Sequence, residues 1–434
     1  MPNKNKKQFQ KFVFLYIFRN IFPKLDIIKK IVYNVCMIER NEYLKKLISF
    51  KDKKLIKVIS GIRRCGKSTL LELFKDYLLK NGVEKSQIIS LNFEDPDNEE
   101  LTDYKKLYEY IKSKLQLEKQ NYIFLDEIQN VKDYQKAIDG LYIKENTDIY
   151  ITGSNAYFMS GELATLLSGR YVEIEMLPLS FKEYLSFYND TSDIQTRYRK
   201  YLENSSFPYV LQLDDEKEQI RTYLSGIYNT VILKDVVQRN KISDVTGLEN
   251  IVKFIFDNIG NSTSAKKISD TMTSMNKKIS NHTVENYLDA LCKSYILYKA
   301  NRYDVKGKQY LETNGKYYLV DIGLRYYLLG TKYVDFGHIL ENIVYLELLR
   351  RGYEVYIGKV DNKEVDFVAI KDGYTEYYQV ADTVMGENTL DRELKSLNSI
   401  RDHNPKYLLT MDNVPNVSHN GIKQLYALDW LLGN

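Results

Sequence analysis

The sequence predicts an α/β protein: a parallel sheet covered by helices on both faces, then a helical region, then a smaller α/β unit. Three observations carry this. Apolar, β-branched runs at 55–60, 87–93, 122–126, 148–152 and 171–176 alternate with helical stretches at 67–80, 103–117, 133–145 and 156–168. The octet Gly61-Ile-Arg-Arg-Cys-Gly-Lys-Ser68 spells G-x-x-x-x-G-K-[ST] and falls between the first run and the first helix. Beyond residue 250 the pattern changes to three short helices followed by two strands.

The first run, 55–60, leads into the glycine loop. Gly61 and Gly66 permit a tight backbone whose N–H groups point inward, and the following helix adds its N-terminus. A phosphate chain fits such a cradle, formed by Gly61, Ile62, Arg63, Arg64, Cys65, Gly66, Lys67, Ser68 and Thr69. Lys67 is expected to reach the β- and γ-phosphates of ATP, and Ser68 to hold Mg²⁺. Cys65 sits inside this loop. Its oxidation is one reading; a small residue filling a variable position is the other.

The run 122–126 ends in Asp126-Glu127. Four apolar residues and then two acids suit a buried parallel strand with its carboxyl end at the site. Asp126 is expected to be the Mg²⁺ carboxylate and Glu127 the base that polarises the attacking water. The strand 148–152 also ends in polar residues. Ser154 or Asn155 could contact the γ-phosphate or the water, or simply cap a turn. Arg170, ahead of the last strand, is a candidate arginine finger or an ordinary surface residue. If the run 87–93 is not an edge strand, the strands bearing the loop and the acid pair are expected to be neighbours in the sheet.

These segments, with Leu125-Asp-Glu-Ile-Gln129, Thr152-Gly-Ser154, Ser168-Gly-Arg170 and Pro178-Leu-Ser-Phe181, resemble the prokaryotic AAA-type ATPases that carry a C-terminal restriction-endonuclease-like domain. The resemblance spans roughly residues 37 to 434. It implies an AAA-like core over 37–180, a helical lid or connector over 181–249, a winged helix-turn-helix over 250–330 and a nuclease-like domain over 335–434.

Within the middle region, helices are expected near 250–256, 264–272 and 280–291, with Ser280 or Asn281 as N-cap and strands at 295–299 and 316–320. A recognition helix beginning near Asn281 would expose Asn281, His282, Thr283 and Asn286 to DNA phosphates or bases. A winged helix used only for packing is the alternative. In the last domain, Glu341 and Asp366 match two of the nuclease acids. Gln379 and Ala381 stand where an acid and a lysine are needed. An amide is a poor Mg²⁺ ligand and alanine supplies no charge. The domain is therefore expected to bind a partner or nucleic acid without cutting.

Composition narrows the classes. Hydrophobic residues make up 44% and charged residues 28% of the 434, as in a globular chain. Three cysteines and four histidines form no paired or metal-ligating spacing, which suits a reducing cytoplasm. The net charge of +4 is local. Residues 1–36 carry seven lysines and one arginine against one aspartate, leaving the other 398 with 54 basic and 57 acidic side chains. The body thus lacks a global basic footprint for nucleic acid. The apolar run 12–18 falls well short of the ~20 residues that span a bilayer. An amphipathic membrane-surface helix is one reading of 1–36. The preferred one is an upstream extension from a misassigned start, since Met37-Ile-Glu-Arg40 resembles the family's usual beginning. The expected activity is Mg²⁺-dependent ATP hydrolysis coupled to movement on a DNA or protein partner, in a chain that could form homo-oligomers. A non-hydrolysing ATP-gated switch, a DNA-binding regulator and an ATP-dependent nuclease are the alternatives.

Overall fold

The computed structural model describes residues 38–156, 167, 169–188, 193–213, 215–331, 335–415 and 417–433. The expectations for residues 1–36, for most of the helix at 156–168 and for Ser168 lie outside these. Residues from Arg40 onward form one compact unit.

Five strands build the first sheet: β1 (Ile56–Ser60), β2 (Ile88–Asn92), β3 (Asn121–Asp126), β4 (Thr147–Thr152) and β5 (Tyr171–Glu175). Their order is β2-β3-β4-β1-β5, and every pairing is parallel. Strands β1, β3 and β4 are buried along their whole length. That is why they read as continuous apolar runs rather than alternating ones. The sequence-predicted adjacency of the loop strand and the acid-pair strand does not hold: β4 lies between them. Apolar patterning marks a strand as central but carries no signal of its neighbour.

Helices α1 (Asn41–Ser49), α2 (Lys67–Lys80), α3 (Tyr104–Lys114) and α4 (Tyr134–Tyr142) flank the sheet. Leu107 and Ile111 of α3 and Ala137, Ile138 and Leu141 of α4 join Ile123, Leu125, Ile149 and Ile151 in one core. On α2, Phe74 packs against Phe124 and Tyr150. One buried ion pair crosses this sheet: Lys57 Nζ lies 2.5 Å from Asp148 Oδ1, with both side chains essentially inaccessible.

A helical segment follows, with α5 (Phe181–Ser186), α6 (Ile194–Asn204) and α7 (Lys217–Ile227). Pro208 opens a 3₁₀ turn between α6 and α7, as a proline at a first helical position can. Helix α7 runs directly into a π-helical stretch, Tyr228–Asp235, and then α8 (Val236–Asn240). Helices α9 (Val245–Asp257), α10 (Ala265–Ser274) and α11 (Asn281–Lys293) come next. Ser280 caps α11, its Oγ accepting from the Thr283 N–H at 3.1 Å.

The hairpin β6 (Leu297–Asp304) and β7 (Gln309–Leu319) is longer than the two strands read from sequence. It is not a free wing. β6 pairs in parallel with β8 (Glu354–Val360), so the hairpin joins the C-terminal sheet. The other strands of that sheet are β9 (Lys363–Lys371), β10 (Tyr374–Ala381), β11 (Lys406–Thr410), β12 (Val417–His419) and β13 (Ile422–Tyr426). The eight-stranded mixed sheet runs β12-β13-β11-β10-β9-β8-β6-β7, and helix α12 (Phe336–Arg350) packs on it. The architecture is thus a parallel five-stranded α/β core followed by a mixed-sheet unit.

Candidate nucleotide site

The loop 61–66 leaves β1 and enters α2. Gly61 and Gly66 have φ of +134° and +103°, a region that glycine enters without strain. A Cβ on Gly61 would come within 2.2 Å of the Met176 carbonyl oxygen, so glycine is required there. Arg40 props the loop from behind: its guanidinium donates to the Cys65 carbonyl at 2.8 Å and pairs with Glu183 at 2.9 Å. Cys65 is wholly buried, and that burial pushes its thiol above the usual range. This favours the filler role over a redox one.

Lys67 turns back onto the loop. Its Nζ donates to the carbonyls of Gly61 (3.0 Å) and Ile62 (3.3 Å) and lies 3.5 Å from Glu127 Oε1. Its ammonium is buried among acceptors that an incoming phosphate oxygen would replace. Ser68 is exposed in the first turn of α2. These residues fit a nucleotide phosphate chain, and Ser68 with Asp126 could ligate a magnesium ion.

Strand β3 delivers the acids. Thr152, at the end of β4, donates from Oγ1 to Asp126 Oδ1 at 2.5 Å and accepts from the Glu127 N–H at 2.8 Å. Glu127 adopts a left-handed φ of +52°, which turns its side chain out of the strand toward Lys67. Burial raises the Glu127 pKa. Lys67, the Gln129 amide, Ser154 and Arg63 outweigh this and hold it below its ordinary value. Gln129 donates to Glu127 Oε2 and to Ser154 Oγ (3.4 Å). Ser154 and Asn155 are both buried, and Ser154 lies beside the pair. The structure thus brings Lys67, Asp126, Glu127 and Ser154 together, as the motifs require. Sequence reading assigned no role to Thr152, Gln129 or Arg40, although all three stand in the segments that carry the family resemblance.

Arg170 is not brought there. Its carbonyl accepts from the Ile56 N–H at the opposite end of β1, about 15 Å from the loop at the usual strand rise. Its guanidinium is exposed and pairs with Asp139 at 2.5 Å. A finger role in the chain's own site is corrected on that ground.

Asp235 of the 217–240 segment reaches the loop instead. Asp235 Oδ2 lies 3.2 Å from Arg63 Nε, while Arg63 also binds Glu94 (3.1 Å). Arg239, four residues on, senses Asp235, Arg63 and Glu127; partial burial is the main cause lowering its pKa.

The C-terminal acids meet an ammonium. Lys316 Nζ on β7 lies 2.9 Å from Glu341, 2.9 Å from Glu364 and 3.9 Å from Asp366. Burial, with Glu341 close by, raises the Asp366 pKa well above normal. Gln379 instead binds Glu393 at 2.9 Å. Among the described residues no group of three or more His, Cys, Asp or Glu is arranged to hold a metal. On α11, Asn281, His282 and Asn286 are exposed, but so are Glu285 and Asp289.

Residues 53–185 match the family described as an AAA domain, and residues 195–335 a domain of unknown function (DUF8612). An uncharacterized protein of Haemophilus influenzae is 44% identical over 400 residues, 91% of this chain and 99% of that one. The chain belongs to the same family, one built on an AAA-type P-loop domain. An uncharacterized Methanocaldococcus jannaschii protein is 31% identical over 413 residues, 89% of this chain and 88% of its own. A solved structure described as a Walker-type ATPase of Pyrococcus abyssi aligns over 67% of this chain and 96% of its own, at 16% identity and a TM-score of 0.48. AAA-type membership and the loop geometry both support ATP binding. Among the described residues no helix is long and apolar enough to cross a membrane.

Proposed function

We propose that this chain is a Mg²⁺-dependent ATPase, converting ATP and water to ADP and phosphate at the Gly61–Thr69 loop. The observation that carries this is the Lys67–Glu127 pair, closed to 3.5 Å at the ends of two separate elements. Lys67 exchanges its loop carbonyls for phosphate oxygens. Glu127 accepts the proton of the attacking water, and Gln129 and Ser154 orient that carboxylate. Thr152 fixes Asp126 and the Glu127 backbone. Magnesium, when held by Ser68 and Asp126, would neutralise phosphate charge.

Hydrolysis then moves the helical segment against a partner. A protein partner suits the surface better than DNA, because Glu285 and Asp289 sit exposed among the sequence-predicted base-reading positions of α11. Arg170 could serve only a neighbouring copy in a homo-oligomer. The restriction-endonuclease-like unit is read as non-cutting, since Gln379 stands where its second acid is needed and donates to Glu393. Free thiols at Cys65 and Cys292 suit a cytoplasmic ATPase.

Steady-state phosphate release tests the reading. Wild type should turn over, Lys67→Ala should not, and Glu127→Gln should retain bound ATP. Tight ATP binding with release at the buffer rate would instead identify a non-hydrolysing switch. Nicking of supercoiled plasmid with Mg²⁺, abolished by Asp366→Ala, would overturn the non-cutting reading.

A further inference from the structure

The stretch Tyr228–Asp235 is π-helical, and its last residue touches the nucleotide loop. A π-helix holds one residue more per hydrogen-bonded turn than an α-helix, and such segments gather at functional positions. Here the wide turn ends on Asp235, and Asp235 Oδ2 faces Arg63 Nε at 3.2 Å. The two residues are far apart in sequence, so this contact ties the loop to the helical segment. It is not a well-formed hydrogen bond, because the buried Arg63 Nε has no partner of proper geometry. Arg63 is shared with Glu94 Oε1 at 3.1 Å. Arg239 lies one helical turn beyond Asp235, on the same face.

The charges decide what this contact does. Without ligand, the side of the loop bearing Arg63 meets two carboxylates, Asp235 and Glu94. A bound nucleoside triphosphate brings several negative charges to the same loop. Arg63 cannot satisfy both with its Nε edge, and a well-formed charge-assisted bond to phosphate is stronger than the poorly aligned contact with Asp235. Asp235 is then left facing added negative charge and is driven away. Only the segment carrying it can respond, since the loop is pinned from behind by Arg40.

We propose that the Arg63–Asp235 pair is a nucleotide-responsive latch, closed in the empty protein and opened by a nucleoside triphosphate, which frees the 228–240 segment to move. The latch rests on the ATP reading of the loop. Asp235 acts through Arg63 and is a positioning residue. Opening gives the π-turn room to relax its register, which is how loop occupancy would reach the helical region.

Hydrogen–deuterium exchange on the full chain, with and without Mg-ATP, tests this. Wild type should exchange faster across 228–240 when ATP is added. Asp235→Asn, a conservative change at a partly exposed position, should already exchange about fivefold faster there without nucleotide, and ATP should add little. Its ATP affinity, followed by a fluorescent analogue, should rise several-fold because a competing carboxylate is gone. Glu94→Gln is the control: it removes the other Arg63 partner but leaves 228–240 protection unchanged. Wild type that binds ATP with no change in 228–240 exchange overturns the latch while leaving the ATP site intact. So does an Asp235→Asn variant indistinguishable from wild type. Absence of ATP binding by the wild type would overturn the site reading and the latch with it.

Discussion

Replacing Lys316 with methionine keeps most of the side-chain volume and removes the ammonium that three carboxylates surround. Glu341 and Glu364 each lie 2.9 Å from it and Asp366 3.9 Å. The Lys316 and Glu341 side chains are only 5% and 6% exposed, whereas Glu364 is 35% exposed. Glu364 can therefore turn to water, while Glu341 and Asp366 cannot. Stranding buried carboxylates in this way costs about 3–5 kcal/mol. At roughly 2 °C per kcal/mol for a unit of this size, the melting temperature should fall by about 6–10 °C. The loss should also depend on pH. Asp366 has a raised folded-state pKa, so the native state binds its proton more tightly than the unfolded chain does. Its contribution is favourable at low pH and disappears as pH rises through the folded value. Without Lys316 that value climbs further. The deficit of the variant should thus be largest near pH 8 and shrink toward pH 5. Differential scanning calorimetry of both proteins at several pH values is the assay. A melting temperature within 2 °C of wild type at pH 8, or a deficit that grows on acidification, would refute the reasoning.

Other outcomes follow from the same geometry. Glu127→Gln should lower turnover by roughly 10²–10⁴-fold, the usual worth of a general base, with ATP binding retained; a loss below tenfold would remove the base assignment. Because the Glu127 pKa is held below its ordinary 4.5, the carboxylate stays ionised throughout the neutral range. Turnover should therefore be flat from pH 8 to about pH 5.5 as far as Glu127 is concerned, and an acid limb above pH 6 that vanishes in Glu127→Gln would contradict this. Lys57→Met should destabilise the core by about 3 kcal/mol, since Asp148 would keep only the Tyr150 hydroxyl and the Asp52 N–H as partners; urea melts measure it. Cys65→Ser should leave ATP binding within about threefold, because the thiol is buried and its pKa raised; loss of binding would restore a direct role.

The parallel core was legible because its central strands are buried on both faces and so appear as uninterrupted apolar runs. The loop was legible because Gly61, Gly66, Lys67 and Ser68 are close in sequence. What could not be read is what folding brings from a distance. A single threonine at a strand end gives no sign that it bridges Asp126 and Glu127, yet Thr152 does. Nothing near Arg63 points to Asp235. Nothing near Glu341, Glu364 or Asp366 in the chain points to Lys316, the ammonium that strand β7 places among them. Arg170 shows the converse: a suggestive neighbourhood in the chain, but a position at the far end of β1.

The central claim is that ATP held by the 61–69 loop is hydrolysed through Glu127. Single-turnover conversion of labelled ATP, with enzyme in excess and Mg²⁺ present, tests it most directly. Wild type should produce ADP and phosphate, Glu127→Gln should bind the label and leave it as ATP, and Lys67→Ala should do neither. Equal conversion by wild type and Glu127→Gln would contradict the account.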